Sequence, residues 1–207
     1  MRTVAALFVE AGGVYYEAAG VDPWPKARDA RKYRGPHPVV AHPPCERWCM
    51  PLAKVNETRY GHKVGDDGGC FRSALAAVRR YGGVLEHPAS TAAWKAFGLT
   101  KPIRGRWAPT PCGGWVCQVA QSAYGHRARK RTWLYAITLR RPPDLDWSEP
   151  APTAVTSWLQ KTTTKLPRIT KTEACKTPIR FRNLLLSLAR APRPRSRRRS
   201  SAPTSKP

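Results

Sequence analysis

The segment Val39-Val40-Ala41-His42-Pro43-Pro44-Cys45 constrains this chain more than any other stretch. Its three leading apolar residues read as the end of a buried strand. Two successive prolines then remove two backbone donors and forbid both a helix and a continued ladder. The strand must stop there, and Cys45 is delivered at its tip on a stiff turn. A thiol held that way is a nucleophile, a metal ligand or a packed neutral group.

Other strand-like runs end in the same manner. Thr3–Val9 is followed by the tight turn Glu10-Ala11-Gly12-Gly13, and Gly20–Pro25 closes on a carboxylate and prolines. Val84-Leu85-Glu86-His87-Pro88 places a carboxylate and an imidazole at its tip. Between these runs, Val14-Tyr15-Tyr16 reads as a helix start or a further strand, and Ala27–Tyr33 as helical or irregular. Cys70–Tyr81 carries Phe71, Ala74, Leu75 and Val78 on one face, which predicts an amphipathic helix. Asp66 or Asp67 is its cap, and Gly82-Gly83 its end. Ala92–Phe97 reads as a short helix, and 101–115 as a long loop. Val116–Gln121 and Thr132–Ile137 are strands able to pair as a hairpin. These alternations predict an α/β fold with a mostly parallel sheet and flanking helices, whose ligands sit at the strand C-terminal ends.

The expected organisation is a compact domain over 1–148, a basic linker with a C-terminal helix over 149–190, and a disordered Arg/Ser/Pro tail over 191–207. In the helix, Phe181, Leu184, Leu185 and Leu188 form the apolar stripe. Net charge is +24 in 207 residues. The seven basic residues between Arg190 and Pro207 supply less than a third of it, so the body is basic too. Such a surface predicts DNA as the partner, with the tail adding affinity that does not depend on sequence. No run is long enough to span a membrane, and the N-terminus does not read as a signal peptide. The expected setting is a reducing cytoplasm, where thiols stay free, catalytic or metal-bound. Cys45-x3-Cys49 and Cys112-x4-Cys117 leave a structural zinc site open as an alternative, although neither has knuckle spacing.

Cys45 and Glu86 lie 41 residues apart with one helix between them. A strand–helix–strand crossover brings both tips to one edge of a sheet. A thiolate adding to an electron-poor ring carbon, with an acid engaging the ring nitrogen, is chemistry suited to cytosine.

Pro43-Pro44-Cys45 followed by Glu86-His87-Pro88 resembles the Pro-Cys and Glu-Asn motifs of DNA cytosine-5 methyltransferases. Leu7-Phe8-Val9-Glu10-Ala11-Gly12-Gly13 is similar to their S-adenosylmethionine loop, and Tyr124-Gly125 with Arg129-Lys130-Arg131 to their Tyr-Gly and Gln-x-Arg-x-Arg region. The match is in order over residues 4–140, and also resembles compact, mostly phage-encoded relatives. It implies a shortened Rossmann-like core in a bacterial or phage-infected cell. By this resemblance Cys45 is the nucleophile and Glu86 the acid that engages N3. Phe8, Gly12 and Gly13 line the methyl donor, Asp22 holds its ribose and Asp29 lies near its adenine. Arg129 and Arg131 support the pocket or grip phosphate. The target base leaves the duplex to be reached. Ala6, Glu10 and His87 replace the family's Asp, Gly and Asn, and no large target-recognition domain follows Tyr135, so a protein partner for recognition is a further expectation. The alternative is a non-catalytic, zinc-stabilised or zinc-free DNA-binding protein that retains the fold.

Overall fold

The computed structural model describes residues 1–49, 57–61, 63–138, 140–156 and 165–191. The tail from 192 onward and part of the basic linker lie outside the described residues.

Seven strands form one sheet: β1 (Val4–Val9), β2 (Val21–Pro25), β3 (Val39–Ala41), β4 (Gly83–Pro88), β5 (Ala108–Pro109), β6 (Trp115–Ala120) and β7 (Arg131–Ile137). Their order is β2-β1-β3-β4-β7-β6-β5. The β1–β2, β1–β3 and β3–β4 pairings are parallel. The β4–β7, β6–β7 and β5–β6 pairings are antiparallel. The fold is α/β, but its sheet is mixed rather than mostly parallel. Part of the reason lies in the connections: β3 and β4 are joined by a crossover that carries α1 (Cys70–Tyr81), whereas β5, β6 and β7 follow one another through short connections, which join antiparallel neighbours.

Each face of the sheet has its own cover. On one face α1 (Cys70–Tyr81) and α2 (Ala92–Ala96) bury Phe71, Ala74, Leu75, Val78 and Trp94 against Leu7, Ala41 and Leu85. The α1 stripe is the one its periodicity predicts, and Asp67 caps the helix by accepting from the backbone N–H of Gly69 and Phe71 (2.9 and 2.8 Å). On the other face α4 (Ile179–Arg190) lays Phe181, Leu185 and Leu188 over Val4, Val40, Val84 and Leu134. The C-terminal helix is thus one of the two covers of the main core. Fully burying one leucine-sized side chain contributes on the order of 2 kcal/mol.

Two segments differ from the sequence reading, and a third joins the core from the domain's end. Val14–Tyr16 forms turns rather than a helix or strand, because Gly13 and Tyr15 carbonyls are taken up by Tyr16 and Ala18 N–H groups (2.9 and 3.4 Å). The 101–115 stretch contains β5 and a buried Trp107. The Pro142–Pro152 stretch packs on the second core through Leu145 and Trp147, and Trp107 Nε1 donates to the Pro143 carbonyl at 2.9 Å.

Gly83 permits the close approach of β3 and β4. Its φ is +114°, and a Cβ there would collide with the Val39 carbonyl oxygen. Only glycine fits such a place.

Candidate functional site

Parallel β1, β3 and β4 are neighbours, so their C-terminal ends share one edge of the sheet. A cleft of about 900 Å³ opens there. Its floor is built from the end of β1 and the loop after it (Phe8–Tyr15), the turn after β3 (His42–Glu46) and Glu86 and Pro88 of β4. Lys130 enters from just before β7. Lys171, Thr172, Ala174 and Cys175 of α3 (Lys171–Cys175), with Lys176 and Thr177, form the outer wall.

Register explains the pairing at the floor. Leu7, Ala41 and Leu85 form the last paired row across the three strands, all on the α1 face. One residue further, side chains alternate to the α4 face. His42 and Glu86 take those positions on adjacent strands, and the His42 N–H still bonds the Leu7 carbonyl (3.1 Å). His42 Nδ1 lies 2.9 Å from Glu86 Oε2, and His42 Nε2 lies 2.7 Å from the Tyr15 hydroxyl. Gln121 Nε2 donates to Glu86 Oε1 (3.2 Å) and to Thr132 Oγ1 (2.9 Å).

Burial alone would raise the Glu86 carboxyl. The hydrogen-bonded His42, with Lys130 and His87 nearby, more than offsets it and holds the group at about 2. Glu86 is therefore a carboxylate at neutral pH. It accepts Nδ1–H from His42 and N–H from Gln121. Burial pushes Tyr15 well above its usual value, and the Glu86 charge adds to this. Tyr15 stays a phenol and donates to His42 Nε2. The result is a directed chain, Tyr15 O–H to His42, and His42 N–H to Glu86.

Cys45 lies at the lip of the same cleft. Its neighbour Cys49, burial and the Glu86 charge push the thiol up, while Lys130 pulls it down. The resting group is a thiol. Cys49 sits one turn on, its N–H bonded to the Cys45 carbonyl (3.0 Å). Lys130 is the cation that acts on both Cys45 and Glu86.

Phe8, Gly12 and Gly13 line the cleft with Cys45 and Glu86. Phe8 has φ +60°, at a break in the β1–β2 register between Leu7 and Val9. A non-glycine residue in that region is uncommon and marks a position held by its surroundings. The loop is anchored from α4: the buried Arg182 donates from Nη1 to the Val14 carbonyl at 2.6 Å.

The other expected site residues are not brought into the cleft. Asp22 accepts from Trp24 Nε1 (2.8 Å) and is paired with Arg28, whose guanidinium lies 4.0 Å over the Trp24 ring. Asp29, in left-handed conformation, is held by the Arg31 guanidinium at 2.7 and 3.0 Å, which lowers its carboxyl. Arg129 is exposed, and Arg131 pairs with Glu149 at 2.8 Å. Period-two alternation is the cause: Lys130 shares a side with buried Thr132 and Leu134, so Arg129 and Arg131 fall on the other.

His87, next to Glu86, points to the opposite face, its ring 5.2 Å from that of Phe71. Burial lowers it to about 4, so it is a neutral packing residue. The four thiols considered for zinc occupy separate places. Cys45 and Cys49 are at the β3 tip, Cys112 is beside Arg79 and Thr110, and Cys117 is buried in β6. Among the described residues no group of three or more His, Cys, Asp or Glu is placed to hold a metal ion. Also among them, no helix is long and apolar enough to cross a membrane.

The sequence reading gives His42, Tyr15, Gln121 and α3 no direct part in the chemistry. His42 carried a signal: it stands one residue past a buried row, where an imidazole must find a partner. Neither a scan of protein-family models nor a comparison with curated proteins finds a match to this chain.

Proposed function

We propose that the chain is a cysteine-dependent, DNA-modifying enzyme of the cytosine-5 methyltransferase type, built on a shortened Rossmann-like core. The observation that carries this reading is the meeting of Cys45 and Glu86, from two adjacent parallel strands, in one cleft with the glycine loop after β1. The strand order supports it, with β1, β3 and β4 parallel at the centre and an antiparallel β7 beside β4.

In the proposed reaction a cytosine enters the cleft out of its stack. The Cys45 sulfur forms a bond to C6, and the ring electrons move toward N3 and C5. The thiol proton ends on N3, transferred through the Glu86–His42 pair, so charge is balanced. Glu86 first accepts a hydrogen bond from the exocyclic amine, a role its carboxylate form suits. His42 and Gln121 fix its two oxygens and hence its direction. C5 becomes the nucleophilic carbon. S-adenosylmethionine, when bound, supplies the methyl electrophile for that carbon. Phe8, Gly12 and Gly13 would hold it: Gly12 (φ +68°) leaves open space where a Cβ would stand, and Glu10 and Glu17 give that wall a charge that suits a cation. Asp22 and Asp29 are not part of this fit. The C5 proton then leaves to solvent, its electrons re-form the C5–C6 double bond as the C6–S bond breaks, and the N3 proton returns through the Glu86–His42 pair to the sulfur, restoring the thiol.

A second reading, a DNA-binding protein without donor chemistry, is favoured by one observation: Asp22 and Asp29 are both engaged by arginines. Covalent trapping separates the two. With DNA containing 5-fluorocytosine and S-adenosylmethionine, the enzyme reading expects a denaturation-resistant adduct on Cys45, seen by mass, and none with Cys45→Ser. Salt-dependent DNA binding with no adduct across varied target sequences would overturn it in favour of the second reading.

A further inference from the structure

The two walls of the cleft carry opposite charge. The loop after β1 contributes Glu10 and Glu17 and no basic residue. The wall formed by α3 and the residues after it contributes Lys171 and Lys176 and no acid. The one carboxylate of α3, Glu173, pairs away from the cleft with Arg127 at 2.9 Å. Around this wall, Lys165 and Arg168 are exposed, and so is Arg129 on the β7 approach. The wall stands directly over the nucleophile: Lys171 Nζ lies 2.8 Å from Oε1 of Glu46, the residue after Cys45. Both side chains of that pair are largely exposed, at 72% and 60%. Pairs of this kind are weak and screened by salt, so a phosphate can take the place of the carboxylate on Lys171.

Resting on the functional reading above, we propose that the segment from Lys165 through α3 to Thr177 is the wall that grips the phosphodiester backbone of DNA beside the target nucleotide, with Lys171 and Lys176 the phosphate-binding cations nearest Cys45. A strand laid along this wall presents its base inward, toward Cys45 and Glu86. The opposite wall, bearing Glu10 and Glu17, repels phosphate and leaves that side to an uncharged or cationic group. The cleft thereby fixes which side of the nucleotide faces the glycine loop. No separate recognition domain is needed to hold the backbone.

The test uses the full chain and a fluorescein-labelled single-stranded oligonucleotide, with affinity read by anisotropy from 50 to 300 mM salt. Lys171→Gln/Lys176→Gln is compared with Lys26→Gln/Lys32→Gln, which removes the same charge from the β2 edge. Loss of two phosphate contacts should weaken binding about tenfold and flatten the log–log salt slope by about 1.4, since each contact on a single strand contributes roughly 0.7. The control pair should change affinity less than about twofold if its charge acts only at a distance. Glu46→Gln should tighten binding by removing Lys171's competing partner. Equal effects of the two double variants, or weaker binding by Glu46→Gln, would overturn the proposal, as would absence of DNA binding by the unaltered protein. The outcome is independent of the trapping result: binding through this wall without a Cys45 adduct would defeat the enzyme reading and leave the wall standing.

Discussion

The centre of the sheet and its β2 edge treat their carboxylates in opposite ways. At the centre, Glu86 is buried, and its oxygens are engaged by His42 and Gln121 from other strands or turns while it lines the cleft. At the edge, Asp22 and Asp29 lie nearer solvent, each tied to an arginine close in sequence and outside the cleft. A carboxylate held at a cleft without a guanidinium partner keeps its charge within reach of a ligand. One neutralised by a guanidinium has its charge already answered. The difference teaches that Glu86 and Cys45 are left facing one cleft, while Asp22 and Asp29 serve the local fold.

The largest effect should come from Cys45→Ser: adduct formation falls by at least about a thousandfold, since the weaker nucleophile lacks the activation a hydroxyl needs. Unchanged trapping would place the nucleophile elsewhere and remove the centre's distinction. Glu86→Gln should follow, lowering trapping by about a hundredfold. It also has a stability signature. Glu86 titrates at about 2 in the folded protein, below its ordinary 4.5. Its contribution, on the order of 3 kcal/mol, is full above pH 4.5 and is lost as pH falls toward 2. Urea unfolding should show the variant weaker at pH 7, with the gap closing in acid; a gap that persists at pH 2.5 would show that the carboxylate charge is not its source.

His42→Gln should lower trapping by about tenfold and move its pH profile, because a glutamine can donate to Glu86 but cannot relay a proton. A pH profile unmoved by this change would reduce His42 to packing. Asp22→Asn should have the smallest effect, under about twofold on trapping, as exposed ion pairs contribute little. A donor-dependent loss of tenfold or more would break the comparison and return Asp22 to the donor site.

Much of this was legible because it depends on local rules. Paired prolines ended β3 before Cys45, and the helical stripe and Asp67 fixed α1. The hairpin of β6 and β7 followed from alternation, and one crossover placed Glu86 beside Cys45. What escaped depends on register and on distant contacts. In Arg129-Lys130-Arg131 three adjacent cations do not declare their register; Lys130 turns inward because it shares a side with buried Thr132 and Leu134, a register shared with the Gln121 N–H bond to the Lys130 carbonyl (2.9 Å). Tyr15 reaches His42 only because Arg182, 168 residues beyond Val14, anchors its loop. The mostly parallel sheet extends the pattern of the first four strands to three more, of which β5–β6 and β6–β7 are joined by connections that suit antiparallel neighbours.

Gly83 has a consequence at the far end of its strand. Because β3 and β4 touch there backbone to backbone, the separation of the two strands is set by atoms that no side-chain substitution can trim. The carboxylate rides on β4 and the thiol on the turn that continues β3. Their spacing is therefore set in the backbone: a side chain larger than hydrogen at position 83 would pry β3 from β4, and the gauge between Cys45 and Glu86 would widen with it.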